Sequence, residues 1–242
     1  MNRLLKAEWH RMTTTTRFWI FMVIMVIFEI LMPFIASPRN AGEYLIGCAE
    51  ESSYFIFLFV ANASAALVGS TYSNRTIYYE VMCGNKVISI LTSKCLIIGL
   101  TISIIMTIGF AVATLIFGIT KGYGELDYIA GRLVLYFLVL FHAALMGTLM
   151  VTSFRSMIGA VLCYMRIMIF DGVIPGIIEV IYEGHENKIY DITKWFVMPQ
   201  SSYVFEQKFD YKLVSAVIIS LVAETLFWGI ISYVLMKKRQ YK

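Results

Sequence analysis

Residues 95–119 read CLIIGLTISIIMTIGFAVATLIFGI, twenty-five consecutive positions without a charged side chain. As an α-helix this run is about 38 Å long, more than the roughly 30 Å of a bilayer's hydrocarbon core. Similar runs recur at about 18–36, 54–73, 133–153, 157–181 and 213–236. The sequence therefore predicts an all-α membrane protein with six transmembrane helices. Composition agrees, with 59% hydrophobic and 15% charged residues, whereas a soluble chain carries about a quarter charged. The 242 residues accommodate one six-span domain, 18–242, behind a short N-terminal segment, 1–17, with no room for a second soluble domain. The first apolar run is too long, and its basic flank too amphipathic, for a cleavable signal peptide.

Lysine and arginine set the expected direction. Twelve fall in segments that share a side with the N-terminus: Arg3, Lys6, Arg11, Arg17, Arg75, Lys86, Lys94, Arg155, Lys237, Lys238, Arg239 and Lys242. Seven fall opposite: Arg39, Lys121, Arg132, Lys188, Lys194, Lys208 and Lys212. Positive charge accumulates on the cytoplasmic side, so the expectation is a multi-pass protein of the cell membrane with both termini cytoplasmic. The 37–53 and 182–212 loops are then outside and the 74–94 loop inside.

Before the first run, Leu5, Trp9 and Met12 share one helical face, while Arg3, Lys6, His10 and Thr13 lie on the other. That pattern predicts an amphipathic helix in the headgroup plane, in contact with membrane lipid. Small residues at spacing four, Ala61, Ala65 and Gly69 in span two and Ala143 and Gly147 in span four, predict close helix packing. Cys48, Cys83, Cys95 and Cys163 form no CxxC pair and read as small buried hydrophobes.

Five ionisable residues lie well inside spans, away from their ends: Glu29, His142, Arg166, Asp171 and Glu224. Charge at that depth must face protein or water and find a partner. Helical rise puts Glu29, Arg166 and Glu224 about 16, 14 and 18 Å from the inner end, near one level. They read either as an ion pair or triad joining spans one, five and six, or as a proton relay or substrate contact. Asp171 is five residues beyond Arg166, about 500° around an α-helix, so Glu29 and Glu224 are the expected partners. His142 reads as a packed, hydrogen-bonded histidine. In IFDGVIPGII, Gly172, Pro175 and Gly176 crowd behind Asp171. Proline removes a donor, and irregular backbone at depth needs protein or a water-filled cavity beside it. Span five should thus break near its outer end. The loop beyond, with WFVMP at Trp195 to Pro199, should lie on the outer interface.

The 72–94 segment, YSNRTIYYEVMCGNKVISILTSK, has a distinctive order. Asn74, Arg75 and Thr76 open it, Gly84 and Asn85 form a turn followed by Lys86, and Ser93 and Lys94 enter span three. It resembles the permease subunits of ABC exporters in the ABC-2 superfamily, where the segment commonly runs R-x-G-T, then G-x-x-R, then S-K. The glycine before Thr76 is missing here, and Lys86 stands near the expected basic position. The nearest likeness is to small peptide-exporting permeases, including those of lantibiotic immunity and of phenol-soluble modulin export. The resemblance covers the whole chain as architecture and about twenty residues as motif.

That resemblance implies a cytoplasmic coupling helix between spans two and three that docks into a separate ABC ATPase subunit. Asn74, Arg75, Thr76, Ile77, Tyr78, Tyr79 and Glu80 would make the contact, with Ile77, Tyr78 and Tyr79 filling a groove and Arg75 and Glu80 setting register. It implies a second copy of the chain or a related permease, and amphipathic or antimicrobial-type peptides as substrate. The chain has no GxxxxGK[ST] loop, so ATP and its magnesium would belong to the partner. No catalytic residue, metal site or nucleic-acid partner is expected of this chain. A proton-coupled transporter or channel using the mid-membrane carboxylates is the alternative, though the spans show no inverted repeat. A membrane serine protease is disfavoured, because no GxSxG occurs and His142 has no evident nucleophile.

Overall fold

The computed structural model describes residues 2–35, 38–51, 53–73, 76–124, 127–156, 158–206 and 210–240. Among them all regular structure is helical: α1 Asn2–Thr14, α2 Thr16–Ile35, α3 Ala41–Glu51, α4 Ser53–Ser73, α5 Thr76–Met82, α6 Val87–Lys121, α7 Ile129–Phe154, α8 Ile158–Arg166, a π-helical segment Ile167–Val173, α9 Ile174–Ile181, α10 Glu186–Thr193, α11 Val197–Glu206 and α12 Tyr211–Gln240. Four of these stretches are long and apolar enough to cross a membrane: α6, α7, Ile158–Ile181 and Tyr211–Lys238. A fifth qualifies if the bent pair at Arg3–Thr14 and Phe18–Phe28 counts as one. That pair takes in part of α2, of 20 residues; α4, of 21 residues, holds a shorter apolar stretch, Phe55–Gly69.

The α1–α2 bend of 70° follows from the threonine run. Thr13 and Thr14 hydroxyls donate to the His10 carbonyl at 2.8 and 3.0 Å, and Thr15 donates to the Arg11 carbonyl at 2.7 Å. These side chains satisfy carbonyls that a helix end leaves without a partner. The face of α1 turned toward the bundle is Leu4, Glu8 and Met12, all buried, while Trp9 is half exposed. The expected apolar face of Leu5, Trp9 and Met12 is therefore rotated. Protein takes one edge of the stripe, and Trp9 is left outside.

The centre of the bundle is α7. Its Val139, Leu140, Ala143, Ala144 and Met146 are buried, and α4, α6, α8, α11 and α12 pack around it. Small residues let those helices approach, but on α4 the close contact is made at Ser64, whose hydroxyl lies 3.3 Å from the Ala144 carbonyl. Gly69 of the expected stripe is half-buried, and the side chains of Ala61 and Ala65 lie outside the described ones. Polar ties pin the other end. Tyr72 Oη donates to the Thr152 carbonyl at 3.2 Å, and the Ser153 and Ser232 hydroxyls meet at 2.8 Å.

The α7–α8 hairpin turns on Arg155, which holds φ 54. Immediately afterwards α8 crosses the end of α7 so closely that a Cβ on Gly159 would lie 2.6 Å from Val151 Cα and 2.7 Å from the Met150 carbonyl oxygen. Backbone cannot give way as a side chain can. Gly159→Ala should therefore lower stability by about 1–3 kcal/mol, read as a fall in thermal midpoint in detergent. An unchanged midpoint would mean that the hairpin is looser than drawn.

Three expectations change. The helix expected to start at 95 starts at Val87, so α6 is 35 residues long. Span five is not interrupted: its irregularity is a π-helical stretch in which the Ile174 N–H donates to the Ile169 carbonyl. Pro175 follows in the first turn of α9, where a missing donor is tolerated. Gly172 lies within the π segment, and Gly176 has open space around its α-carbon. Finally, part of the 182–212 segment packs into the bundle, while α10 is mostly exposed. Val197, Gln200, Ser201, Val204 and Phe205 of α11 are buried against the bundle, and only Trp195 of WFVMP is well exposed. Arg132 ties α7 to this helix by donating to the Val204 carbonyl.

Candidate functional site

Two charged clusters stand out. The first joins α1, α5 and α6 at the end of the bundle that holds Lys237. Helix α5 is short because Gly84, at φ 79, stops it. The Gly84 N–H donates to the Val81 carbonyl at 2.9 Å, and Asn85 Nδ2 caps the Glu80 carbonyl at 2.8 Å. A left-handed glycine is the usual end of a helix. Lys94, about two helix turns into α6, is fully buried. Its ammonium donates to Glu8 of α1 and lies 3.3 Å from Glu80 of α5. Arg11 pairs with the same Glu8. Burial pushes the Glu80 carboxyl above the usual range, and Lys94 pulls it back. Burial likewise lowers the Arg11 guanidinium, against the field of Glu8.

This network fixes which way α5 faces. Ile77 is buried beside Leu4, Ile90 and Leu91, and Glu80 points back toward Lys94. The outward residues are Tyr79, 64% exposed, and Met82, 82% exposed, three apart and so on one helical face. Of the residues expected to form the coupling contact, Ile77 and Glu80 thus serve to hold α5 to its own bundle, and Tyr79 is turned outward. Asn74 and Arg75 lie outside the described residues, as do the side chains of Thr76 and Tyr78. Met82 was not singled out from sequence. Replacing Lys94 by Met would leave Glu80 without its nearest cation and Glu8 with Arg11 alone, a loss of about 3 kcal/mol. Faster tryptic cleavage in α1 and a lower thermal midpoint should follow. Unchanged proteolysis would mean that the network does not hold α1 in place.

The second cluster lies midway along the bundle. Arg166, at the end of α8, pairs with Asp171 on the π segment and with Glu224 on α12. His142 of α7, fully buried, places Nε2 3.2 Å from Glu224 Oε2. Met146 Sδ lies 3.7 Å from the guanidinium. Four side chains from three helical stretches thus meet at one level. The expectation that Asp171 is badly placed for Arg166 fails for a physical reason. In a π-helix the hydrogen bond closes from i to i+5, so each turn is wider and the residue five along returns to the same side. Asp171 is 1% exposed, where α11 packs on the π segment. Glu224 and Arg166 side chains keep 25% and 18% exposure. The cluster is therefore closed on the Asp171 side and open on the Glu224 side. The side chain of Glu29 lies outside the described ones. The proximity of His142 to Glu224, 82 positions along the chain, carries no sequence signal.

Buried charges of this kind can hold helices in register, and a chain of carboxylate and imidazole can pass a proton. Of the cysteines, Cys95 and Cys163 are buried and Cys83 is exposed on the α5–α6 turn. Comparison with protein-family models finds none that matches the chain, and comparison with curated proteins finds no similar sequence.

Proposed function

We propose that this chain is the membrane-spanning permease subunit of an ATP-driven exporter of the ABC-2 type. In this reading α2, α4, α6, α7, the α8–α9 stretch and α12 are six spans, with both termini in the cytoplasm and α1 on the inner surface. A separate ABC ATPase supplies the energy, and a second copy or a related permease completes the pathway. The substrate class is amphipathic or antimicrobial-type peptide, leaving the cell or its membrane.

The observation that carries the reading is the setting of α5. It is a short helix between two apolar ones, it presents Tyr79 and Met82 outward, and it is tied through Glu80, Lys94 and Glu8 to α1 and α6. A partner that pushes on such a helix moves the interfacial helix and a span together. Topology is the first test. A cysteine introduced at Lys86, in a background without native cysteines, should react with an impermeant maleimide only after the cell is opened. One introduced at Lys188 should react in intact cells. Labelling at position 86 from outside would overturn the orientation and the coupling role with it.

The His142–Glu224–Arg166–Asp171 cluster favours a second reading, a proton-coupled transporter or channel, because it gathers titratable groups at membrane depth. Co-purification separates the two: a soluble ATPase retained with the chain supports the first reading. Proton uptake in vesicles without nucleotide supports the second.

A further inference from the structure

A groove of about 720 Å³ runs between α6, α7 and α12. Its walls are almost wholly apolar, among them Ile88 and Leu91 of α6, Leu145 of α7, and Leu221, Gly229 and Tyr233 of α12. From Leu221 to Tyr233 the groove follows α12 for about 18 Å. One leaflet's share of the hydrocarbon core is about 15 Å. The groove thus has the depth of a single acyl chain and begins at the bundle end that holds Lys237.

That mouth is basic. Lys237 Nζ stands over the Tyr233 ring, 5.8 Å from its centroid, and Lys238 and Lys86 are exposed. The chain from Lys86 to Gly124 and again from Thr225 to Lys242 holds no aspartate or glutamate, so no carboxylate of α6 or of the inner half of α12 offsets them. An apolar slot of one-leaflet depth under a cationic rim is the complement of a lipid with a negative headgroup.

We propose that this groove is a specific site for an anionic phospholipid of the leaflet next to the termini, with one acyl chain against Leu91, Leu145 and Gly229 and the phosphate at Lys237. The site is independent of the ATPase reading, since it needs only that the bundle stands in a membrane.

The test uses the full chain, purified in mild detergent and presented with equal phosphatidylglycerol and phosphatidylcholine, with retained lipid read by native mass spectrometry. Retention of one phosphatidylglycerol, about tenfold over phosphatidylcholine, is expected. A Cβ at Gly229 would meet nothing within 4 Å, so Gly229→Phe can fill the slot without disturbing the helices. It should abolish retention at an unchanged thermal midpoint. K237Q with K238Q should keep the apolar slot able to hold a chain but lose most of the tenfold preference for phosphatidylglycerol, since each lysine near an anionic headgroup contributes about 1 kcal/mol. Equal retention of both lipids, or undiminished retention by Gly229→Phe, overturns the proposal. So does a shift of Gly229→Phe from dimer to monomer without lipid loss, which would give the groove to a second copy. Displacement of the lipid by an amphipathic peptide at equal concentration would give it to transported peptide instead.

Discussion

If the chain is the permease of an ATP-driven exporter, replacing Tyr79 and Met82 together by alanine should abolish export while leaving the chain in the membrane at its normal level. Both residues are strongly exposed on α5 and lie on one helical face. Among the described residues none covers them, so truncation removes little from the bundle's own packing. At a protein interface the same side chains carry disproportionate energy. A buried aromatic anchor at the centre of a contact is worth about 2 kcal/mol or more, and two such losses would weaken partner binding by a hundredfold or more. The measurement is retention of an ATPase on the affinity-purified chain, alongside peptide release from cells. Ile77→Ala provides the contrast. Ile77 is buried among Leu4, Ile90 and Leu91, so its truncation should lower the thermal midpoint of the isolated chain by an amount worth about 2–4 kcal/mol. If the Tyr79–Met82 variant keeps its ATPase and its export, α5 is not the coupling element, and the resemblance on which that role rests is empty.

The contrast between Ile77 and Tyr79 shows where sequence reading stops. An apolar run announces its own length, so α2, α4, α7 and α12 begin and end within a few residues of the apolar stretches. At α6 the rule fails, because Lys94 looks like the polar edge of a span. Its side chain is buried only because Glu8 and Glu80, 86 and 14 positions away, come to meet it. Composition cannot encode that meeting. The π segment is hidden for a different reason. Gly172 and Pro175 announce an irregular turn, but not whether the chain opens a gap or widens a turn. Only the widened turn brings Asp171 under Arg166. On α11, Val197, Gln200, Ser201 and Phe205 lie at the spacing of one helical face, but polar groups are buried with the apolar ones, so no hydrophobic stripe marks that face. Gln200 is accommodated by the Lys194 carbonyl and the Ser220 hydroxyl at 2.9 and 3.0 Å.

Arg166→Met should be the most damaging single change at membrane depth. The guanidinium spans Asp171 and Glu224, and its planar fork can serve two carboxylates at once. Taking it away leaves two like charges near one level, one of them almost wholly buried. Breaking a buried pair by removing one partner costs about 3–5 kcal/mol, enough to unfold a marginal bundle. Arg166→Lys should be intermediate, because an ammonium is a single point charge on a flexible stem. The informative variant is the neutral triple, R166M with D171N and E224Q. It removes the uncompensated charge, so its thermal midpoint in detergent should return to within about 1 kcal/mol of the parent. Transport by that triple then decides what the cluster is for. If stability and export return together, the charges only hold α8 and the π segment to α12. If stability returns and export does not, His142, Glu224 and their partners act on what is moved, and the open Glu224 side is where it passes. An Arg166→Met chain as stable as its parent would mean that the two ion pairs contribute nothing. The π segment would then have to be explained by Gly172 and Pro175 alone.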